Sequence, residues 1–226
     1  VIAAGQYDAY TQGSNDGVVA KYNSSGTIQW QRTLGGSGSA NDYFTDVAVD
    51  SSGNVYVTGK IALSAVNQYL IVKYNSSGTL QWQKRYGASG SGQHGEAESV
   101  AVDSSGNVYS AGVINSNSYN GTVAKLNSSG ALQWAREQAD FGYDNSRVIT
   151  DSSNNVYLAV RGSTSPGGLN VFKYNSSGTL QWKKVLLNTG ASSAHDIAVD
   201  DSGNVYTLGW TSVTGRATDN IITKWN

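Results

Sequence analysis

The chain has 226 residues, 15 Lys and Arg against 16 Asp and Glu, and a formal charge of −1, so no excess of either sign recruits nucleic acid or an anionic membrane. Its 38% apolar and 10% aromatic content supports a buried core and argues against disorder, while the absence of cysteine removes disulfides, thiolate metal ligands and thiol chemistry together. Apolar runs stay far below the roughly 20 residues of a spanning helix, no signal-like segment opens the chain, and a start at Val1 without any Met suggests a processed form or a segment of something longer.

Residues 1–5 read as a short apolar strand, and Lys21-Tyr22-Asn23-Ser24-Ser25-Gly26 follows as a second strand running into a turn. Four segments come next, at 46–50, 54–59, 68–75 and 79–85, each alternating at period two between Gly, Ser and Asn boundaries, which predicts four strands. Asp50-Ser51-Ser52-Gly53-Asn54 joins the first pair and Asn75-Ser76-Ser77-Gly78-Thr79 the second. The chemistry is the same twice: Asp or Asn opens the turn by bonding backbone N–H, and Gly supplies the positive φ that closes a hairpin with a bulge.

This set recurs. Lys-Tyr-Asn-Ser-Ser-Gly starts at Lys21, Lys73 and Lys173, Lys-Leu-Asn-Ser-Ser-Gly at Lys125, and a shortened Lys-Trp-Asn at Lys224, at spacings of 52, 52, 48 and 51. Val-Ala-Val-Asp-Ser-Ser-Gly-Asn-Val-Tyr runs from Val47 and returns in variants from Val100, Val148 and Ile197. Four antiparallel strands per ~50 residues, without helical periodicity, predict an all-β propeller with one four-stranded blade per repeat. A stacked solenoid competes, but apolar side chains on both strand faces favour sheets sandwiched between two neighbours.

The count comes to 18 strands, two short of five blades, because the first blade lacks its inner strand and the last its outer one. One propeller domain over 1–226 is expected, with blades near 1–35, 46–87, 99–138, 147–187 and 196–226. It is a window of a longer array, a five-bladed ring with incomplete terminal blades, or a ring completed by a homo-oligomer.

These blocks resemble the bacterial β-propeller repeat family called SBBP over essentially the whole chain. They are similar to repeats in virion and tail proteins of marine cyanobacterial phages and in secreted bacterial surface proteins. The resemblance implies a fold and a structural or surface setting, and a fold alone fixes no activity. The Gly-Thr-Leu-Gln-Trp segment also resembles the docking motif of pyrroloquinoline-quinone repeat proteins. The blades are too few for such a protein and the cysteine pair is absent, so this second likeness implies packing and no cofactor.

Among the repeated residues, Trp30, Trp82, Trp134 and Trp182 are expected to wedge between neighbouring blades. Arg32, Lys84, Arg136 and Lys184, with Lys21, Lys73, Lys125, Lys173 and Lys224, are expected to protect strand edges. Asp50, Asp103, Asp151 and Asp200 read as turn caps, because the turns lack the dense carboxylate spacing of a calcium loop, and no metal is expected. Asn23, Asn75, Asn127 and Asn175 form glycosylation sequons that turn composition explains as well.

Both repeated turns project from one end of the sheets. The dissimilar connections, within and between blades, emerge at the other, where specificity is expected, although drift in unconstrained loops yields the same pattern. Tyr7, Tyr10, Tyr69, Tyr119, Tyr143 and Trp210 are the stacking candidates there, with Arg147 and Arg161 as polar anchors. Tyr43, Phe44, Phe141, His94, Glu96, Glu98, Asp144, His195 and Asp196 share that end. No catalytic set follows: the two histidines lie in different inter-blade connections, and no carboxylate pair has diagnostic spacing.

The expected function is therefore a non-enzymatic structural and interaction module of a virion, contacting other virion or surface proteins or a host surface. A lectin-like propeller of a secreted or cell-surface bacterial protein, with glycans as ligands, is the alternative. Neither nucleic acid nor membrane insertion is expected.

Overall fold

The computed structural model describes residues 1–9, 14–35, 41–63, 66–87, 94–114, 121–138, 146–162, 168–186, 192–211 and 219–225. Over these residues the chain forms five antiparallel sheets that succeed one another in sequence. The first holds β1 (Ile2–Ala9), β2 (Ser14–Tyr22) and β3 (Ile28–Leu34). The second holds β4 (Tyr43–Val49), β5 (Val55–Leu63), β6 (Val66–Tyr74) and β7 (Leu80–Tyr86). The third holds β8 (Gly95–Val102), β9 (Val108–Ile114), β10 (Gly121–Leu126) and β11 (Leu132–Gln138). The fourth holds β12 (Arg147–Thr150), β13 (Val156–Arg161), β14 (Leu169–Tyr174) and β15 (Leu180–Leu186). The fifth holds β16 (Ser192–Val199), β17 (Val205–Thr211) and β18 (Asp219–Trp225). The all-β propeller arrangement, with three-stranded sheets first and last, is the expected one.

Apolar side chains fill the four gaps between consecutive sheets, one cluster per gap. Strand alternation produces this layering. On β6, Val72 joins the layer facing the first sheet and Ile71 the layer facing the third. A strand buried on both faces needs an apolar residue at nearly every position, and β5 and β9 are buried along almost their whole length.

The repeated turns carry the predicted caps. Asp50 Oδ1 accepts the backbone N–H groups of Ser52 and Asn54, and Oδ2 accepts the Asn54 amide and the Tyr56 hydroxyl at 2.8 and 2.9 Å. Asp103, Asp151 and Asp200 repeat the set. Gly53 has φ +76°, and in the fourth sheet Asn154 holds the same place at φ 61°, a left-handed conformation that Asn tolerates better than other side chains.

Neighbouring sheets are also latched. The Trp30 indole N–H donates to the Ser76 carbonyl at 3.1 Å, Trp82 to Ser128 at 3.1 Å and Trp134 to Ser176 at 3.2 Å. Each indole lies against the glycine of the turn it bonds: a Cβ added at Gly78 would come within 2.7 Å of the Trp30 ring. Five of the nine bases expected to guard strand edges do a different job. Lys21, Lys73 and Lys125 donate to the same serine carbonyls, and Arg32 and Arg136 donate Nε–H to Gly78 and Gly178 at 2.7 and 2.8 Å. Charged donors on turn carbonyls make these bonds stronger than neutral ones.

The inner strands depart from expectation at their starts. β4, β8 and β16 begin at Tyr43, Gly95 and Ser192, several residues before the blade starts expected near 46, 99 and 196. The register shifts between Phe44 and Asp46, Ala97 and Ser99, and Ala194 and Asp196. One extra residue, Thr45, Glu98 or His195, is thereby accommodated as a β-bulge that reverses the alternation and re-aims the side chains around it.

Candidate functional site

The inner strands β4, β8, β12 and β16 contact one another in chain order, and the bulges turn polar side chains from one inner strand onto the next. Thr45 Oγ1 donates to the Ala97 carbonyl at 2.6 Å. Asp46 Oδ2 accepts Ser99 Oγ–H and Val100 N–H, both at 2.9 Å, and the Ser99 hydroxyl accepts Val148 N–H at 3.2 Å. The Ser146 backbone N–H donates to Glu98 Oε2 at 2.6 Å and its hydroxyl donates to the same oxygen. Arg147 Nε–H donates to the His195 carbonyl at 3.0 Å. One polar chain thus links the second, third, fourth and fifth sheets.

A second cluster stands where the second and third sheets meet. The Tyr43 hydroxyl donates to Glu96 Oε1 at 2.8 Å, His94 Nε2 lies 3.3 Å from Glu96 Oε2, and Asn67 Nδ2 lies 3.2 Å from His94 Nδ1. An amide N–H from Asn67 onto Nδ1 leaves the ring proton on Nε2, facing the carboxylate. The Lys60 ammonium sits 4.6 Å from the Tyr43 ring centroid, a cation–π distance.

Chemically, these groups act as struts. Glu96 and Glu98 already accept bonds from Tyr43 and Ser146, and Asp46 is held by Ser99 and Val100. Among the described residues no cluster of three His, Cys, Asp or Glu is placed to hold a metal.

The sequence-derived candidates divide three ways. Tyr7 is exposed, at 54%, and Trp210 and Arg161 are half-buried near the ends of β17 and β13. Arg147 belongs to the inter-sheet polar chain. Tyr69 is a correction: it is fully buried between the second and third sheets, its hydroxyl bonded to Ser110 Oγ at 2.6 Å, with its phenol pushed up by burial, so no ligand can stack on it. Phe44 likewise belongs to the core. Tyr10, Tyr119, Tyr143, Phe141 and Asp144 lie outside the described residues.

Lys60, Asn67, Ser99 and Ser146 were not foreseen. The available signal was the break in alternation at the same offset before the blocks that start at Val47, Val100 and Ile197, in Phe44-Thr45-Asp46, Ala97-Glu98-Ser99 and Ala194-His195-Asp196.

A family model described as Beta-propeller repeat, SBBP, matches residues 29–61, 81–120 and 182–215. Each match starts at an outer strand and runs through the next inner and second strands. No curated protein sequence matches the chain. Among solved structures, a protein of unknown function from Dyadobacter fermentans superimposes with a TM-score of 0.63 at 13% identity, covering 94% of this chain and 64% of its own. An ulvan lyase of polysaccharide lyase family PL25 gives 0.57 at 11% identity, covering 96% and 60%. A periplasmic gluconolactonase of Pseudomonas aeruginosa gives 0.54 at 10%, covering 99% and 67%. The chain thus spans about two thirds of the length of these structures, and at such identities the likeness is one of fold. Three stretches of the chain thus match the model of the SBBP β-propeller repeat.

Proposed function

We propose that the chain is a non-enzymatic interaction module of a virion or bacterial surface, recognising a structural protein or a host surface through the end of the sheets that carries the dissimilar connections. One observation carries this reading: the repeated-turn end is taken up by caps and latches, whereas at the other end Tyr7, Arg161 and Trp210 stand outside the polar chain that ties the inner strands. At the repeated-turn end, the Asp and Asn caps hold their own turns, while turn carbonyls, Trp30, Trp82 and Trp134 and five of the bases are engaged in holding sheets together. Tyr7, Arg161 and Trp210 stand toward the opposite end, on β1, β13 and β17, of which β13 is buried between neighbours on both faces. Loops and strand ends on such a scaffold can vary without loss of the fold.

The test is binding of the labelled chain to bacterial cells and to a glycan array. Tyr7→Ala and Arg161→Ala should weaken binding without lowering the melting temperature. Several weak, equivalent glycan sites would move the reading to the lectin alternative. Turnover of a gluconolactone or of ulvan that disappears in Glu96→Gln would overturn the non-enzymatic reading.

A further inference from the structure

One backbone position at the dissimilar end changes chemistry from sheet to sheet. Tyr43 pairs with Lys60 in the second sheet, Glu96 with Val113 in the third and Ser193 with Trp210 in the fifth. Each pair adjoins the same landmark, a glycine (Gly59, Gly112 or Gly209) facing Phe44, Ala97 or Ala194, while the repeated turns at the far end stay nearly identical. Where the second and third sheets meet, this position gathers Tyr43, Lys60 and Glu96, with Asn67 and His94 beside them.

The frame around these groups is fixed. The backbones of Asn67 and His94 form a bridge from the second sheet to the third. Gly95 lies so close to β6 that an added Cβ would come within 2.7 Å of the Tyr69 nitrogen and 3.2 Å of the Asn67 carbonyl oxygen. His94 and Glu96, on either side of that glycine, are thereby held at the mouth of the joint, with 36% and 20% of their side chains exposed. Two groups there keep unused capacity. The Glu96 oxygens meet one donor each, Tyr43 and His94, out of the roughly four lone-pair sites a carboxylate offers. Lys60 is half-buried, and among the described residues its ammonium meets the Tyr43 ring and no carboxylate. A cation partly withdrawn from water without a counter-ion favours an anion brought to it.

We infer that this joint binds a carboxylated sugar unit of an acidic polysaccharide, its carboxylate meeting the Lys60 ammonium and its hydroxyls donating to the free lone pairs of Glu96. The Asn67 amide, with one N–H on His94, has its carbonyl oxygen and second N–H left among the described residues for the same ring. A neutral sugar leaves Lys60 uncompensated. An acidic peptide brings a carboxylate but no hydroxyl for Glu96 to accept from, so the sugar is the better match. The inference rests on the reading of the dissimilar end as the recognition end and adds its ligand. It assigns one site to this joint, because the equivalent pairs Glu96–Val113 and Ser193–Trp210 carry no cation.

Isothermal titration calorimetry of the 226-residue chain with trimers of galacturonic acid and of mannuronic acid tests this. At least one trimer should bind, about tenfold or more tighter than its methyl ester and than tetraglutamate. Lys60→Gln should weaken that binding by about tenfold, and Lys60→Arg, which keeps the charge, should restore most of it. The His94 ring resonances should move as the trimer is added, which locates the site. Circular dichroism melts verify that both variants fold. Binding of neither trimer, equal binding of the methyl ester, or binding that Lys60→Gln leaves intact overturns the inference, and tetraglutamate bound as tightly as the trimers gives the site to an acidic protein instead. Attachment to bacterial cells, measured on the same samples, separates the two readings: cells bound without any trimer binding overturn this inference alone, and trimer bound without attachment to cells overturns the surface reading alone.

Discussion

Trp30 on the outer strand of the first sheet gives its indole N–H to the carbonyl of Ser76 in the second, at 3.1 Å, with its ring 6.1 Å from that of Tyr74. The contact combines an apolar wedge with a capped turn, and Trp134 repeats it on Ser176 and Tyr174. Trp182 borders the last core layer beside Trp225, and no latch bond to a following turn accompanies it among the described residues. Trp30→Ala should therefore cost on the order of 3–5 kcal/mol, and Trp182→Ala less by at least the ~1 kcal/mol of a hydrogen bond. Urea unfolding of both variants gives the comparison; equal losses would remove the latch from the account.

Gly26 and Gly78 separate backbone strain from steric fit. Both have φ +78°, but only Gly78 has an indole where a Cβ would go. Gly26→Ala should cost the ~1–2 kcal/mol of a left-handed residue, and Gly78→Ala clearly more, because the Trp30 ring has to move. If denaturation midpoints fell equally, the close approach would have no energetic weight.

Much of the fold was legible because the turns announce themselves: Asp or Asn at the first position, Gly three residues on, and Lys, Trp and Tyr at fixed offsets around them. The inner strands were read short because the bulges at Thr45, Glu98 and His195 break the period-two pattern where the strands begin. Tyr69 was placed on the recognition end because the sequence alone could not show that a residue near a variable connection turns inward between two sheets. The bases were assigned to edges because their acceptors, the carbonyls of Ser76, Gly78 and Ser128, belong to turns some fifty residues away and carry no side-chain signature.

The buried Tyr69 hydroxyl supports a second strut, since Ser110 Oγ passes a bond to the Ser99 carbonyl at 3.1 Å. Tyr69→Phe should lose about 1 kcal/mol of stability and leave surface binding unchanged. Reduced binding at unaltered stability would return Tyr69 to the recognition surface.

Acid should loosen the repeated turns. Burial acts to raise the carboxyls of Asp50 and Asp151, but the amides of Asn54 and Asn155, the turn N–H groups and the Tyr56 and Tyr157 hydroxyls outweigh it and hold both below the usual carboxylate range. A carboxyl lowered in the folded state contributes stability that is present above its unfolded value, about 3.9, and is lost as pH falls through the folded one. Urea midpoints should drop below about pH 4, and an Asp50→Asn, Asp151→Asn double variant should show a flatter decline from a lower starting stability. Parallel declines would assign the acid sensitivity to other groups.

The difference in use between the two ends is tested most directly by damaging each separately and measuring binding to bacterial cells. One variant places lysines at the exposed turn serines Ser52, Ser77 and Ser177, and another changes Tyr7, Arg161 and Trp210 to alanine. The turn variant should bind like the parent, and the triple-alanine variant should bind weakly while melting at a similar temperature. Loss of binding in the turn variant with retention in the other would contradict the assignment of recognition to the dissimilar end.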